Sequence, residues 1–185
     1  MLKRNTNLTI KFLLFIILSL LFVFIYVIPI TAQQNTLEEY YYSTKTYEYL
    51  TLRNFTSASA CGIIGNMMIE TSGGTLDIKP HIYSKSGNFY GLCQWSTRYY
   101  SGAKDLPFEY QLDFLLGTLP WEFNTFGWLY KKGFTFEDFI QMKDPVEAAL
   151  AFAKVYERCG PASYEMRQEA AIKAYNYFNL EAPLS

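Results

Sequence analysis

Residues 65–74 read GNMMIETSGG and place an acidic residue, Glu70, in the last turn of an otherwise apolar helix. The two glycines at the end of this stretch predict where the helix stops. A helix C-terminus carries negative partial charge, which disfavours an ionised carboxylate, and apolar neighbours disfavour it further. A carboxyl group that keeps its proton near neutral pH can serve as a general acid. The alternative is a solvated Glu70 at a frayed helix end.

The pattern around this helix predicts a mostly helical domain with a small β lobe. The helix itself is expected over residues 57–70, with Gly62 and Gly65 leaving room for a closely packed neighbour. Residues 81–92 predict a β-hairpin around a turn at Ser84–Asn88. The other helices are expected from a capping box at 36–39 to about residue 53, and over 105–116, 121–132, 136–142, 144–160 and 163–178. The predicted fold class is α+β, with a leading segment at 33–56 and a main domain at 57–180.

The N-terminal region predicts export from the cytoplasm. Lys3, Arg4 and Lys11 precede an apolar run from Phe12 to Ile28, a pattern typical of a signal peptide or of a single membrane span. Residues 1–32 are expected to be one or the other, with the rest of the chain on the outer side. The protein would then be extracytoplasmic, either secreted or anchored to the cell membrane through this segment.

Composition argues against several classes of function. The formal net charge is −1, and the region after residue 32 has no cluster of basic residues, so we expect no nucleic-acid partner. The single histidine, His81, and the lack of Cys-x-x-Cys spacing predict no metal site and no cofactor. The 16 tyrosines and 15 phenylalanines suit a wet, apolar-walled cleft that binds carbohydrate, or alternatively a tyrosine-rich core.

Four motifs in order resemble the phage tail lysozyme family, which belongs to the lysozyme-like superfamily of peptidoglycan hydrolases. They are GIIGNMMIETSGG, YGLCQWS, YQLDFLL and DPVEAALAFAKVYERCG, spread over about residues 58–178. The resemblance implies a lysozyme-like fold and an enzyme that cuts peptidoglycan glycan strands between N-acetylmuramic acid and N-acetylglucosamine. It makes Glu70 the catalytic acid. It also implies a sugar groove, for which the candidate substrate-binding residues are Tyr83, Tyr90, Gly91, Gln94 and Trp95.

Two routes are open after protonation of the glycosidic oxygen. A hydrolase places a second carboxylate near the first, and Asp77 is the candidate, unless it only stabilises the turn. Without a second carboxylate, the resemblance allows lytic transglycosylation, in which the muramyl 6-hydroxyl closes onto C1. The stretch Tyr156-Glu157-Arg158 is similar to an "ER" segment of the family, where we expect an internal ion pair that supports the groove.

Two other functions compete with the glycosidase. The motif GLCQWS superficially resembles the cysteine, histidine-dependent amidohydrolase/peptidase family, with Cys93 as nucleophile. That chemistry needs a histidine after the cysteine in the chain, whereas His81 precedes Cys93. The second competitor is a non-catalytic, membrane-tethered module that binds the cell wall with the same fold.

Cysteine pairing is the point at which the chain departs from the resemblance. Cys159 stands where family members often have proline, so it could pair with Cys93 or Cys61 in an oxidising compartment. We therefore expect one disulfide and one free thiol.

Overall fold

The computed structural model of the chain describes residues 40–181. The export segment expected at 1–32 and the capping box expected at 36–39 lie outside these residues. Between residues 40 and 181, no helix combines the length and the apolar character that crossing a bilayer requires.

The described part is mostly helical and carries one small antiparallel sheet, as expected for an α+β fold. Its α-helices are α1 (Tyr41–Thr51), α2 (Ser57–Ser72), α3 (Phe108–Phe126), α4 (Phe136–Ile140), α5 (Pro145–Phe152) and α6 (Tyr164–Asn176). Helix α5 continues as a π-helix over Ala153–Glu157, and α6 continues as another over Tyr177–Glu181. Single 3₁₀ turns lie at Ser101–Ala103, Gly127–Leu129 and Pro161–Ser163. The sheet pairs β1 (Phe89–Tyr90) with β2 (Trp95–Ser96).

Helix α2 is the central element of the core. The Thr56 side chain caps its N-terminus by accepting a hydrogen bond from the Ser59 amide at 3.1 Å, and Gly73 ends it in a left-handed conformation with φ 63°. A Cβ added at Gly62 would lie 2.7 Å from Cβ of Ala148 on α5. A Cβ added at Gly65 would lie 2.5 Å from the backbone nitrogen of Ala171 on α6. The predicted close packing is confirmed, and each glycine serves a different helix.

The β lobe contains the predicted hairpin in reduced form and adds a second strand that was not predicted. The turn at 84–88 forms, with the Gly87 amide donating to the Ser84 carbonyl at 2.9 Å. Residues 81–83, however, contribute only one bridge, between Tyr83 and Tyr90. The chain reverses again at once, because Gly91 adopts φ 81° and the Gln94 amide donates to the Gly91 carbonyl. The predicted pairing of 81–83 with 89–92 is therefore confirmed at this one bridge, with the Ser84 and Gly91 amides donating to the Phe89 and Ile82 carbonyls at 3.0 Å. The pairing of β1 with β2, the residues that follow it, was not predicted.

Helix α3 spans a region in which two helices separated by a break had been predicted. It runs unbroken through Pro120, although an interior proline costs a helix about 3 kcal/mol. Leu115, Leu119 and Phe123 are fully buried along one face on both sides of this proline. Burying a side chain of this size contributes about 1.5–3 kcal/mol, so continuous packing outweighs the local penalty.

Candidate active site

Glu70 lies in the last turn of α2 and is partly open to solvent, with 21% of its side chain exposed. Its carboxylate Oε1 accepts a hydrogen bond from Nη2 of Arg167, a buried residue of α6, and the two groups form an ion pair. The sequence analysis expected apolar neighbours around Glu70 and missed this guanidinium, which lies directly against the carboxylate. Such a neighbour stabilises the ionised form of a carboxyl group.

Buried hydrogen bonds fix Arg167 in this position. Its Nη1 donates to Oδ1 of Asn66 at 2.9 Å, and its Nε donates to Oγ of Ser163 at 3.3 Å. Asn66 in turn donates to the Gly62 and Ala149 carbonyls at 2.9 and 3.1 Å. The Glu70 carboxylate is thus attached to a network that joins α2, α5 and α6, the kind of rigid support that a catalytic group needs.

A second carboxyl group, that of Glu157, belongs to the same cluster. It lies at the end of the π-helical turn that extends α5. Burial and the nearby negative charge of Glu70 raise the pKa of Glu157 to about 8, against smaller opposing effects from Arg167, the Cys93 thiol and Arg158. Its Oε1 is closed off from solvent and has no hydrogen-bond partner among residues 40–181. The two carboxyl groups thus differ in character, because Glu70 is paired with arginine whereas the pKa of Glu157 is raised.

The ion pair expected at the "ER" segment exists, but Glu157 is not part of it. Nη1 of Arg158 contacts Oε2 of buried Glu122 on α3 at 2.6 Å. Arg158 has a left-handed backbone, with φ 51°. The Tyr100 hydroxyl donates to the same Glu122 carboxylate at 2.5 Å. The Arg158–Glu122 ion pair connects the end of the π-helix to α3. Glu157 is not part of this pair and lies near Glu70 instead.

Three of the candidate substrate-binding residues belong to the interior of the lobe. Trp95 is 3% exposed and Tyr90 is 4% exposed, so neither ring offers a face on which a sugar could stack. The Trp95 indole donates to the Tyr156 hydroxyl at 2.9 Å. At Gly91, an added Cβ would lie 2.5 Å from Oε1 of Gln111, which explains the glycine as a packing requirement.

The remaining candidates lie at or near the surface. The Gln94 amide donates to the Ile82 and Gly91 carbonyls at 3.2 and 3.0 Å and so stabilises the turn. Tyr83 is 40% exposed, and its hydroxyl donates to Asp105. The Asp77 side chain is 55% exposed and lies 3.9 Å from Nζ of Lys79. The carboxyl in electrostatic contact with Glu70 is that of Glu157, a role that the sequence analysis missed.

Gln111 is another residue whose role the sequence analysis missed. It is fully buried, accepts from the Leu92 amide at 2.9 Å, and donates to the Pro80 and Leu106 carbonyls at 2.7 and 2.8 Å. The bonds to Leu92 and Pro80 attach the β lobe to α3, and the bond to Leu106 holds the segment that leads into this helix. A glutamine inside the apolar stretch YQLDFLL was the available signal, because a buried amide must find partners.

All three cysteines are free thiols, so the expected disulfide was wrong. Cys61 and Cys93 are buried, and burial raises the pKa of the Cys61 thiol to about 12 and that of Cys93 well above its ordinary value. A neutral, buried thiol is a poor nucleophile. His81 contacts the Tyr90 hydroxyl through Nδ1 at 3.1 Å. In the part of the chain that the structure describes, no three His, Cys, Asp or Glu side chains are arranged to hold a metal ion.

Comparison with known proteins agrees with this architecture. The family model described as phage tail lysozyme matches residues 42–178. Morphogenesis protein 1 of Bacillus phage B103 is 32% identical over 120 residues, which make up 60% of this chain and 32% of that protein. The chain thus spans about a third of the length of this curated relative. With the family model matching well over half of its residues, the chain belongs to the phage tail lysozyme family.

Proposed function

We propose that the protein is a peptidoglycan glycosidase that cleaves between N-acetylmuramic acid and N-acetylglucosamine, with Glu70 as the general acid. Membership of the phage tail lysozyme family indicates a peptidoglycan hydrolase. The environment of Glu70 supports its role as the general acid. Its carboxyl group lies on a buried helix, is partly open to solvent, and is held by the guanidinium of Arg167, which is itself fixed by Asn66. A general acid needs this combination of access and fixed geometry.

The first chemical step is the same in both candidate routes. Glu70 donates a proton to the glycosidic oxygen, the bond to C1 of the muramyl residue breaks, and Glu70 is left as a carboxylate. Arg167 stabilises this carboxylate, because opposite charges at contact distance attract strongly in a partly buried site. The same carboxylate can then act as a base toward the attacking hydroxyl group.

The two routes differ in which hydroxyl attacks. In hydrolysis, a water molecule attacks C1, usually with the help of a second carboxylate. Glu157 is badly suited to that role, since its Oε1 is closed off from solvent. Asp77, which is largely exposed, stays the candidate for a hydrolase. In lytic transglycosylation, the muramyl 6-hydroxyl attacks C1 and gives its proton to Glu70, so no second carboxylate is required.

Digestion of purified peptidoglycan, followed by mass spectrometry of the products, tests the proposal. The proteins to compare are the wild type, Glu70→Gln, and the control Glu169→Gln, which removes an exposed carboxyl group of α6. We expect the wild type and the control to release muropeptides and Glu70→Gln to release none. Reducing ends identify hydrolysis, and 1,6-anhydro ends identify transglycosylation.

Three results would refute the proposal, and each points to a different function. Equal release by Glu70→Gln would exclude Glu70 as the acid. Binding of the wild type to the wall without release would indicate the non-catalytic module. Release of stem peptides that is lost in Cys93→Ser would indicate the peptidase, against the burial of that thiol.

We further propose that the domain acts outside the cytoplasm, exported or anchored by residues 1–32. The basic and then apolar order of this segment supports the proposal. N-terminal sequencing and cell fractionation of the full chain test it. Cleavage near residue 32 or an intact chain in the membrane fraction would support export or anchoring, whereas an intact chain in the cytosol would contradict both.

A further inference from the structure

A pocket of about 370 Å³, to which the proposed chemistry assigns no role, opens where the end of the α5 segment meets the start of α6. The 3₁₀ turn Gly127–Leu129 closes its third side. Its volume lies at the lower end of the range of ordinary ligand pockets, so it suits a small group rather than a row of sugar rings. The pocket is lined by Leu129, Lys154, Arg158, Cys159 and Tyr164.

The ammonium group of Lys154 gives this pocket a positive charge that no contacting carboxylate balances. Lys154 takes part in none of the four ion pairs that the described residues form. Glu147, seven residues earlier in the same helical segment, instead accepts a hydrogen bond from the Tyr130 hydroxyl at 2.6 Å. The charge of Arg158, by contrast, is balanced by Glu122. The pocket therefore favours an anionic ligand, and Lys154 is the group positioned to bind it.

Aromatic rings hold the ammonium group while leaving its donors free. Nζ of half-buried Lys154 lies 5.7 Å from the centroid of the Tyr164 ring and 6.0 Å from that of the Tyr130 ring. The Tyr164 ring is itself fixed, because its hydroxyl donates to the Cys159 carbonyl at 3.3 Å. A ring attracts a cation through its face and does not occupy the N–H donors as a carboxylate would. Lys154 is thus oriented and still able to donate hydrogen bonds to a ligand.

Hydrogen bonds connect the pocket to the candidate active site. Sγ of Cys159 accepts from the Ser163 hydroxyl at 3.3 Å, and the same hydroxyl accepts from Nε of Arg167 at 3.3 Å. Arg167 in turn contacts the Glu70 carboxylate. Tyr164 and Arg167 are three residues apart on α6, so they lie on one face of this helix, about 4.5 Å apart along its axis. A ligand bound at Glu70 has less than one turn of α6 to pass before it reaches the pocket.

We propose that this pocket is a subsite for the carboxylates of the peptides attached to the glycan strand, and that Lys154 is its specificity-determining residue. The inference rests on the proposed function. The N-acetylated sugars of the strand are neutral, whereas the short peptide on the lactyl group of N-acetylmuramic acid carries free carboxylates. An extended peptide spans about 3.3–3.6 Å per residue, so its second and third residues lie about 7–11 Å from the lactyl group. Carboxylates at this distance can reach a pocket that close to Glu70.

Equilibrium binding to the full chain, measured by calorimetry, tests the subsite without relying on activity. The probes are the disaccharide N-acetylglucosaminyl-N-acetylmuramic acid bearing its pentapeptide, the same compound with its carboxyl groups amidated, and the disaccharide without peptide. None of them contains the bond that the proposed reaction cleaves. The proteins are the wild type, Lys154→Gln, Lys154→Arg and the control Lys173→Gln, which removes an exposed lysine of α6.

The wild type and Lys173→Gln should bind the ionised peptide compound about fivefold to tenfold more tightly than the amidated one, as a charge-assisted hydrogen bond at a partly exposed site provides. In Lys154→Gln this preference should fall below about twofold, and Lys154→Arg should retain most of it. Raising the salt concentration should weaken the preference in the wild type. Equal binding of the ionised and amidated compounds by the wild type, or a preference that persists in Lys154→Gln, would overturn the inference. So would tighter binding of glycerol phosphate than of the peptide compound, because the pocket would then serve a different anion of the wall.

The binding experiment separates this inference from the proposed function. A preference that depends on Lys154, in a protein that does not cut peptidoglycan, would leave the subsite standing and remove the glycosidase. Loss of cleavage in Glu70→Gln, together with equal binding of the ionised and amidated compounds, would leave the glycosidase standing and remove the subsite.

Discussion

The contact between α2 and α6 holds Glu70 against Arg167, and Gly65→Ala tests it directly. The added Cβ would lie 2.5 Å from the backbone nitrogen of Ala171 and 2.7 Å from its Cα, whereas ordinary contacts are 3.4–4 Å. Because the obstacle is backbone, no rotamer change relieves it, and the two helices must separate by about 1 Å. Overpacking of this kind costs about 1–3 kcal/mol, and the gain in helix propensity returns at most about 1 kcal/mol.

We expect Gly65→Ala to lower the free energy of unfolding by about 2 kcal/mol, which corresponds to a melting temperature lower by about 4–8 °C for a chain of this length. Gly117→Ala is the matched control, since Gly117 is an exposed glycine of α3 whose added Cβ would meet nothing within 4 Å. Its melting temperature should rise slightly, because alanine is the better helix former. Calorimetry measures both, and a Gly65→Ala protein that melts at or above the wild-type temperature would refute the reasoning.

Three further measurements test other parts of the structure. Urea denaturation should show that Gly91→Ala lowers the free energy of unfolding by about 1–2 kcal/mol more than Gly87→Ala does. Both glycines have positive φ, but only a Cβ at Gly91 would meet a side chain, at Oε1 of Gln111. Equal losses in the two variants would contradict the close packing at Gly91. Native thiol labelling should reach half-buried Cys159 first and the other two cysteines only on unfolding, three thiols in all, and a total of one would contradict the free thiols. The free energy of unfolding should fall as the pH rises from about 4.5 to about 8, because Glu157 keeps a proton in the folded protein that the unfolded chain has released. Glu157→Gln should weaken this pH dependence. An unchanged pH dependence in that variant would contradict the raised pKa of Glu157.

Local signals in the sequence predicted the helix ends that depend on capping. Asp144 and Pro145 begin α5 as expected, with the Asp144 carboxylate accepting from the Val146 amide at 2.8 Å. Gly73 ends α2 in the conformation that glycine favours. These features were predictable because each involves residues within one turn of each other.

Features that depend on distant contacts were not predictable in this way. Two helices, over 105–116 and 121–132, were predicted where α3 runs unbroken through Pro120, and the burial of Leu119 and Phe123 on one face explains why the helix continues. Glu70 was found because its position in the helix is unusual. Its partner Arg167 and its neighbour Glu157 are far away in the sequence and meet only when α2, α5 and α6 pack together.

The central claim is that the carboxyl group of Glu70 donates the proton that breaks the glycan strand. The most direct test is the rate of peptidoglycan cleavage by Glu70→Gln relative to the wild type, with Glu169→Gln as the control and the melting temperature of each protein as a check on folding. A positioned general acid contributes about 10²–10⁴-fold to a rate, so we expect at least a hundredfold loss in Glu70→Gln and less than a twofold change in the control. A folded Glu70→Gln protein that cleaves within a few-fold of the wild-type rate would contradict the claim.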